Sequence, residues 1–143
     1  MRVLLNSIFA TFITIALGFG VSAAYSAHHK GLKVMGEDQD VSSGTVTASK
    51  IMADKNGWLV VHRTDDKMKP GPVVGYSPLK AGGNTNVTAI LTEPVKKGEK
   101  LMLMLHAEDG GTKTGIFEYT LGAKEDGPVK VDGKLVMTVI TAK

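Results

Sequence analysis

The fold is decided by two apolar runs, Trp58–His62 (WLVVH) and Leu101–His106 (LMLMLH). Neither run shows the polar alternation of a strand with one solvent face. Each therefore predicts a central strand with one face in the core and the other covered by a loop or by a partner chain. Other short runs rich in β-forming residues surround them and are separated by Gly, Pro, Asn and Asp. The predicted strands are Thr45–Met52, Trp58–Arg63, Val73–Tyr76, Asn86–Leu91, Lys100–Ala107, Gly115–Thr120, Val129–Val131 and Leu135–Thr141.

Seven or eight short strands, about 8–12 residues apart, are typical of an all-β antiparallel sandwich or barrel. No segment after residue 43 carries a sustained helical apolar period, and Asp132-Gly133 is a strong hairpin signal. The β domain is predicted to span residues 44–143, after a flexible polar arm at 28–43. Because the chain has no cysteine, no disulfide can crosslink this domain.

Residues 1–27 are typical of a secretory signal peptide. Arg2 is the only charge before His28, and an apolar segment, Val3–Val21, leads into small residues. The small-residue rule allows cleavage after Ala23, Ser26 or Ala27. The alternative is an uncleaved membrane anchor, since a spanning helix needs about 20 apolar residues. Cleavage predicts a periplasmic or secreted protein with no remaining membrane span.

The charge balance argues against nucleic acid as a partner. Without Arg2 the chain has 16 basic and 14 acidic side chains, with the signs interspersed. No nucleophile elbow or phosphate-binding glycine loop occurs, so we expect a non-enzymatic protein; a hydrolase of unrecognised type is the less favoured reading. Function on β-sandwiches usually lies in loops. The candidate surface-loop binding residues for a protein or envelope partner are His62, Asp65, Asp66, Tyr76, Glu108 and Asp109.

One strand carries a row of metal-binding side chains. Met102, Met104 and His106 alternate and therefore share a face, and thioethers with an imidazole are ligands that Cu(I) prefers. His28 and His29 would add a copper-chelating amino terminus if cleavage follows Ser26. The competing interpretation is that Met102 and Met104 simply fill the core. A blue-copper centre is excluded because it needs a cysteine thiolate.

His62 and His106 are not expected to share a metal ion. Each ends its apolar run, and antiparallel strands would place these two ends at opposite ends of the sandwich. A separation of five residues at about 3.3 Å each is longer than the distance between two ligands of one metal ion.

The order of several motifs resembles a family of exported bacterial and archaeal domains of unknown function. The motifs are Gly57–His62, Pro72–Ser77, Lys80–Gly82, Leu101–His106 with Asp109, Asp126–Val129 and Asp132-Gly133, within about residues 45–141. The resemblance implies an immunoglobulin-like or cupredoxin-like β-sandwich and no established activity. Two functional hypotheses follow: an exported, non-enzymatic binding or envelope-associated module, and a periplasmic copper- or metal-binding protein that uses His and Met.

Overall fold

A computed structural model describes residues 31–143, which form an all-β, antiparallel structure. The strands are β1 (Lys33–Met35), β2 (Thr45–Ala53), β3 (Gly57–Thr64), β4 (Val73–Leu79), β5 (Gly82–Leu91), β6 (Lys100–Ala107), β7 (Lys130–Val131), β8 (Lys134–Leu135) and β9 (Met137–Thr141). Within residues 31–143, no helix is long and apolar enough to cross a membrane. The predicted signal peptide, its cleavage points and the His28-His29 pair lie outside the described residues.

Seven strands form one sheet in the order β1-β2-β5-β4-β3-β6-β9, and β7 pairs with β8 in a small hairpin. The sheet curls so that its two ends approach each other. After β1, Gln39 bridges Ala142 just beyond β9, and the Lys143 N–H donates to the Gln39 carbonyl at 2.9 Å. A Cβ on Gly36 would lie 2.8 Å from Leu103, so the chain here crosses directly over β6. The result is a near-barrel, which confirms the predicted all-β antiparallel class.

The main core fills the inside of this curled sheet. Alternate residues of each strand point inward, as the two-residue period of a strand requires. The fully buried contributions from β3 and β6 are Leu59, Val61, Leu101, Leu103 and Leu105. They pack with Val46, Ala48, Ile51, Val74, Ala89 and Ile140.

The opposite face of β3 and β6 is buried as well. It carries Trp58, Val60 and His62 from β3, and Met102, Met104 and His106 from β6, none of which belongs to the main core. The segment 109–126, which we call the covering loop, lies over this face through the rings of Phe117 and Tyr119. Both apolar runs are therefore central strands with a loop over their outer face, as predicted.

Two expectations differ from the structure. Gly115–Thr120 is not a strand, because the Glu118 carboxylate accepts the N–H groups of Thr112 and Lys113 and draws the backbone into a compact loop. Part of the expected flexible arm is ordered: residues 33–35 form β1 on the edge of β2, and Val34 and Val41 are buried. These two apolar side chains hold the segment against the core.

Candidate metal site

The pairing of β3 with β6 builds the candidate site. Trp58 lies opposite His106, Val60 opposite Met104, and His62 opposite Met102, all on the face beneath the covering loop. Directly opposed residues in an antiparallel pair have Cβ atoms about 4.5–5.5 Å apart. Met102 is thus the cross-strand neighbour of His62, and Met104 lies between the two histidines along the strand.

His62 and His106 meet at their Nε2 atoms, which are 3.3 Å apart. The prediction that they lie too far apart to share an ion is wrong. Their strands are antiparallel as expected, and four residues at about 3.3 Å each separate the pair along β6. On the face beneath the covering loop, the two imidazoles lean toward each other along the strands. Val60 and Met104 lie between them in register, and the two side chains together cross that span. The ring centroids are 5.4 Å apart, farther than the Nε2 atoms, so the rings meet edge to edge.

The outer nitrogen of each ring is held by a backbone carbonyl. His62 Nδ1 lies 2.8 Å from the Gly71 oxygen, and His106 Nδ1 lies 2.6 Å from the Asp126 oxygen. A carbonyl oxygen only accepts hydrogen bonds, so both Nδ1 atoms must carry the proton. This is the arrangement in which proteins commonly fix metal-binding histidines, because it turns the Nε2 lone pair toward the ion.

Burial favours the neutral form of both rings. Neither side chain has any exposed surface. Burial lowers the pKa of His62, against the opposing effect of its hydrogen bond to Gly71. Burial, together with the nearby His62, lowers the pKa of His106 to about 4, although its bond to Asp126 acts in the other direction. With each neutral ring protonated on Nδ1, neither Nε2 carries a proton.

Two Nε2 lone pairs therefore approach each other in a buried space with no hydrogen between them. Buried polar atoms are nearly always paired, and an unpaired one is costly. A cation between the nitrogens satisfies both. Two nitrogens that bind one ion at about 2.0–2.1 Å with a tetrahedral angle are themselves about 3.3 Å apart, which matches the observed separation.

The side chains on this face are of types that a soft ion prefers. Within residues 31–143, no three His, Cys, Asp or Glu side chains are grouped to hold a metal. On the same face, Met102 lies opposite His62 and Met104 lies between the two histidines, and both thioether side chains are almost completely buried. Imidazole with thioether is a set suited to Cu(I), whereas Ca²⁺ and Mg²⁺ require oxygen ligands.

Aromatic rings close the site. The Tyr119 centroid lies 4.6 Å from that of His106 and 5.9 Å from that of His62, and Phe117 lies 5.4 Å from Trp58. Tyr76 extends the cluster, 4.4 Å from Phe117. Trp58 is only 5% exposed, and within residues 31–143 its Nε1 has no hydrogen-bond partner. These rings exclude water from the two histidines.

The candidate surface-loop residues are dispersed. His62 is fully buried on β3, so its assignment to a surface loop is wrong. Asp65 and Asp66 are exposed after β3, and Asp66 pairs with Lys100. Tyr76 is half-exposed but lies on β4. Glu108 and Asp109 begin the turn after β6, where Asp109 pairs with Lys55.

Sequence reasoning placed Met102, Met104 and His106 on one face but missed three contributors. The direction of the strands and the residue separation along them both predicted that His62 lies apart from these three side chains. Gly71 and Asp126 contribute backbone carbonyls, which no side-chain motif reveals. The available signal was that both apolar runs end in histidine.

Comparison with known families matches Domain of unknown function (DUF7282) to residues 32–143. The chain belongs to this family, which confirms the resemblance to domains of unknown function. No curated protein and no solved structure matches the chain.

Proposed function

We propose that this protein is an exported, non-enzymatic domain that binds one Cu(I) ion between His62 and His106. Met102 and Met104 supply thioether donors beside the two imidazoles. The observation that carries the proposal is the 3.3 Å approach of two buried Nε2 atoms whose Nδ1 atoms both donate to carbonyls.

The alternative role for such a cluster is simple packing. Methionine and leucine fill cores equally well, and Met102 and Met104 alone would not distinguish the two roles. The histidines do distinguish them, because apolar side chains in their place would bury no lone pair. Local arrangements that cost stability are expected at functional sites. The second hypothesis, a module that binds a protein or envelope component, has no comparable buried feature in its support.

Copper(I) fits the proposed location. The predicted signal peptide would deliver the domain to the periplasm or outside the cell, and the site needs no cysteine that oxidation would consume. The neutral imidazoles require no proton release at neutral pH, so metal binding is not opposed by a competing proton.

The test is an anaerobic titration of the purified chain with Cu(I) in competition with a chromophoric Cu(I) chelator. We expect one tightly held Cu(I) per chain. His62→Leu and His106→Leu should each weaken binding by more than the roughly 10–100-fold typical of losing an outer-shell partner. Met102→Leu/Met104→Leu should weaken it while leaving the fold intact, since Leu and Met have similar volumes.

Matched controls separate this site from others. Met35→Leu changes an exposed methionine on β1, which pairs with β2 rather than with β3 or β6, and should leave affinity unchanged. His28→Ala/His29→Ala tests the amino-terminal pair and should leave the Cu(I) stoichiometry at one. The proposal is overturned if wild-type protein takes up no Cu(I), or if uptake is lost only in the His28/His29 variant.

A further inference from the structure

The covering loop is a self-contained unit. Its two ends meet, because the Asp126 N–H donates to the Asp109 carbonyl at 2.8 Å and the Asp109 N–H donates to Asp126 Oδ1 at 3.1 Å. Compact loops with adjoining ends that pack by their own side chains are often functional. This one lies directly over the two histidines.

The hydrogen bonds that shape the loop lie mainly within it. The Glu118 carboxylate accepts from the backbone N–H groups of Thr112 and Lys113 and from the Thr112 hydroxyl. The Glu118 N–H in turn donates to Asp126 Oδ2 at 2.7 Å. Toward the sheet the loop presents the rings of Phe117 and Tyr119. Ring contacts can separate without breaking a strand ladder, so the part of the loop that carries these rings can lift once its hydrogen bonds to Asp126 are released.

Asp126 joins the loop to a metal ligand. Its side chain accepts from both Asp109 and Glu118, while its backbone oxygen accepts from His106 Nδ1. Asp126 is fully buried and has a φ of 47°, a left-handed conformation that Asp and Asn tolerate better than other residues. One residue therefore fixes both the closed position of the loop and the direction of the imidazole.

We propose that the covering loop is the gate through which Cu(I) reaches and leaves the His62–His106 site, and that Asp126 is the positioning residue that keeps it closed. This inference rests on the proposed metal site. Opening releases the Asp109 and Glu118 N–H groups from the Asp126 carboxylate and lifts Tyr119 from His106. A chelator or a protein that accepts copper then meets the ion directly.

The test compares rates of Cu(I) transfer from the loaded protein to a chromophoric chelator. Asp126→Asn keeps the backbone preference and the carbonyl to His106 but replaces one accepting oxygen with an NH₂ group. Transfer should accelerate about 10- to 100-fold, the range that one charge-assisted hydrogen bond is worth. Asp66→Asn is the matched control, because its exposed carboxylate pairs with Lys100 outside the covering loop; its transfer rate should stay at that of the wild type.

Amide hydrogen exchange on the wild-type protein provides a second readout that needs no variant. The Asp109 and Glu118 amides should share one opening free energy, well below that of core amides such as Leu103, and Cu(I) should slow their exchange. The gate is overturned if these amides exchange only on global unfolding, or if a folded Asp126→Asn protein transfers Cu(I) at the wild-type rate. Failure of the wild type to bind Cu(I) would instead overturn the proposed function.

Discussion

Lowering the pH from 7 to 5 is expected to destabilise the metal-free domain through its buried histidines. His106 has a pKa of about 4 in the folded protein, against 6.5 for the unfolded chain. Between pH 6.5 and about 4, His106 therefore binds a proton in the unfolded state but stays unprotonated in the folded state. The stabilising contribution is complete above pH 6.5 and is lost as the pH falls toward 4, where both states become protonated.

The size of this loss follows from the two pKa values of His106. Linkage gives a decrease in the free energy of unfolding of about 2 kcal/mol between pH 7 and 5, and about 3 kcal/mol by pH 4. The lowered pKa of His62 acts in the same direction. The exposed carboxyls with lowered pKa values, Asp40, Asp66, Glu99, Asp109 and Glu118, act mainly below their ordinary values of 3.8–4.5. The interval from pH 6.5 to 5 therefore reports chiefly on the histidines.

Urea unfolding at a series of pH values, followed by Trp58 fluorescence, measures the effect. Trp58 is the only tryptophan and is almost fully buried beside the site. A decrease of about 2 kcal/mol corresponds to a drop in Tm of roughly 10 °C. His106→Phe should remove most of the pH dependence of the free energy of unfolding. Stability that does not change between pH 6.5 and 5, or a His106 imidazole that titrates near 6.5 in the folded protein, would refute the reasoning.

Three further predictions address the supports of the site and the export of the chain. Gly71→Ala should weaken Cu(I) binding roughly 10–100-fold in competition titrations, because a Cβ there would lie 2.7 Å from the Arg63 carbonyl oxygen and displace the carbonyl that holds His62; wild-type affinity would contradict this. In urea unfolding, Leu103→Ala should lower the free energy of unfolding by about 2–5 kcal/mol. Met104→Leu should lower it by less than about 1.5 kcal/mol. Equal decreases for the two variants would contradict the division of β6 into a core face and a site face. Mass spectrometry of exported protein should find an amino terminus at Ala24, Ala27 or His28, and an intact Met1 would count against cleavage.

Much of the sheet could be predicted because its signals are local. Lys100–Ala107 is β6 to the residue, and Thr45–Met52 and Trp58–Arg63 fall within one residue of β2 and β3 at each end. Apolar alternation bounded by turn formers specifies such strands directly. β1 was not predicted because only Val34 of its three residues is buried, so the sequence carries no apolar alternation there. Its pairing with β2 supplies the rest of its stability.

The candidate site was predicted only in part, for a physical reason. Strand alternation determines which residues share a face, and it placed Met102, Met104 and His106 together. It does not determine how far two long side chains lean toward each other across a strand pair. The pairing of β3 with β4 also shifts between Val61 and His62, an irregularity of the kind that re-aims side chains near functional sites. Neither this shift nor the Asp126 carbonyl has a signature in the sequence.

Long-range ¹H–¹⁵N NMR of the histidine side chains tests the buried pair most directly. In the metal-free protein at pH 7, His62 and His106 should both show a protonated Nδ1 and a bare Nε2, and one equivalent of Cu(I) should shift both Nε2 resonances. A proton found on either Nε2, together with resonances that Cu(I) leaves unmoved, would contradict a site built for a metal ion.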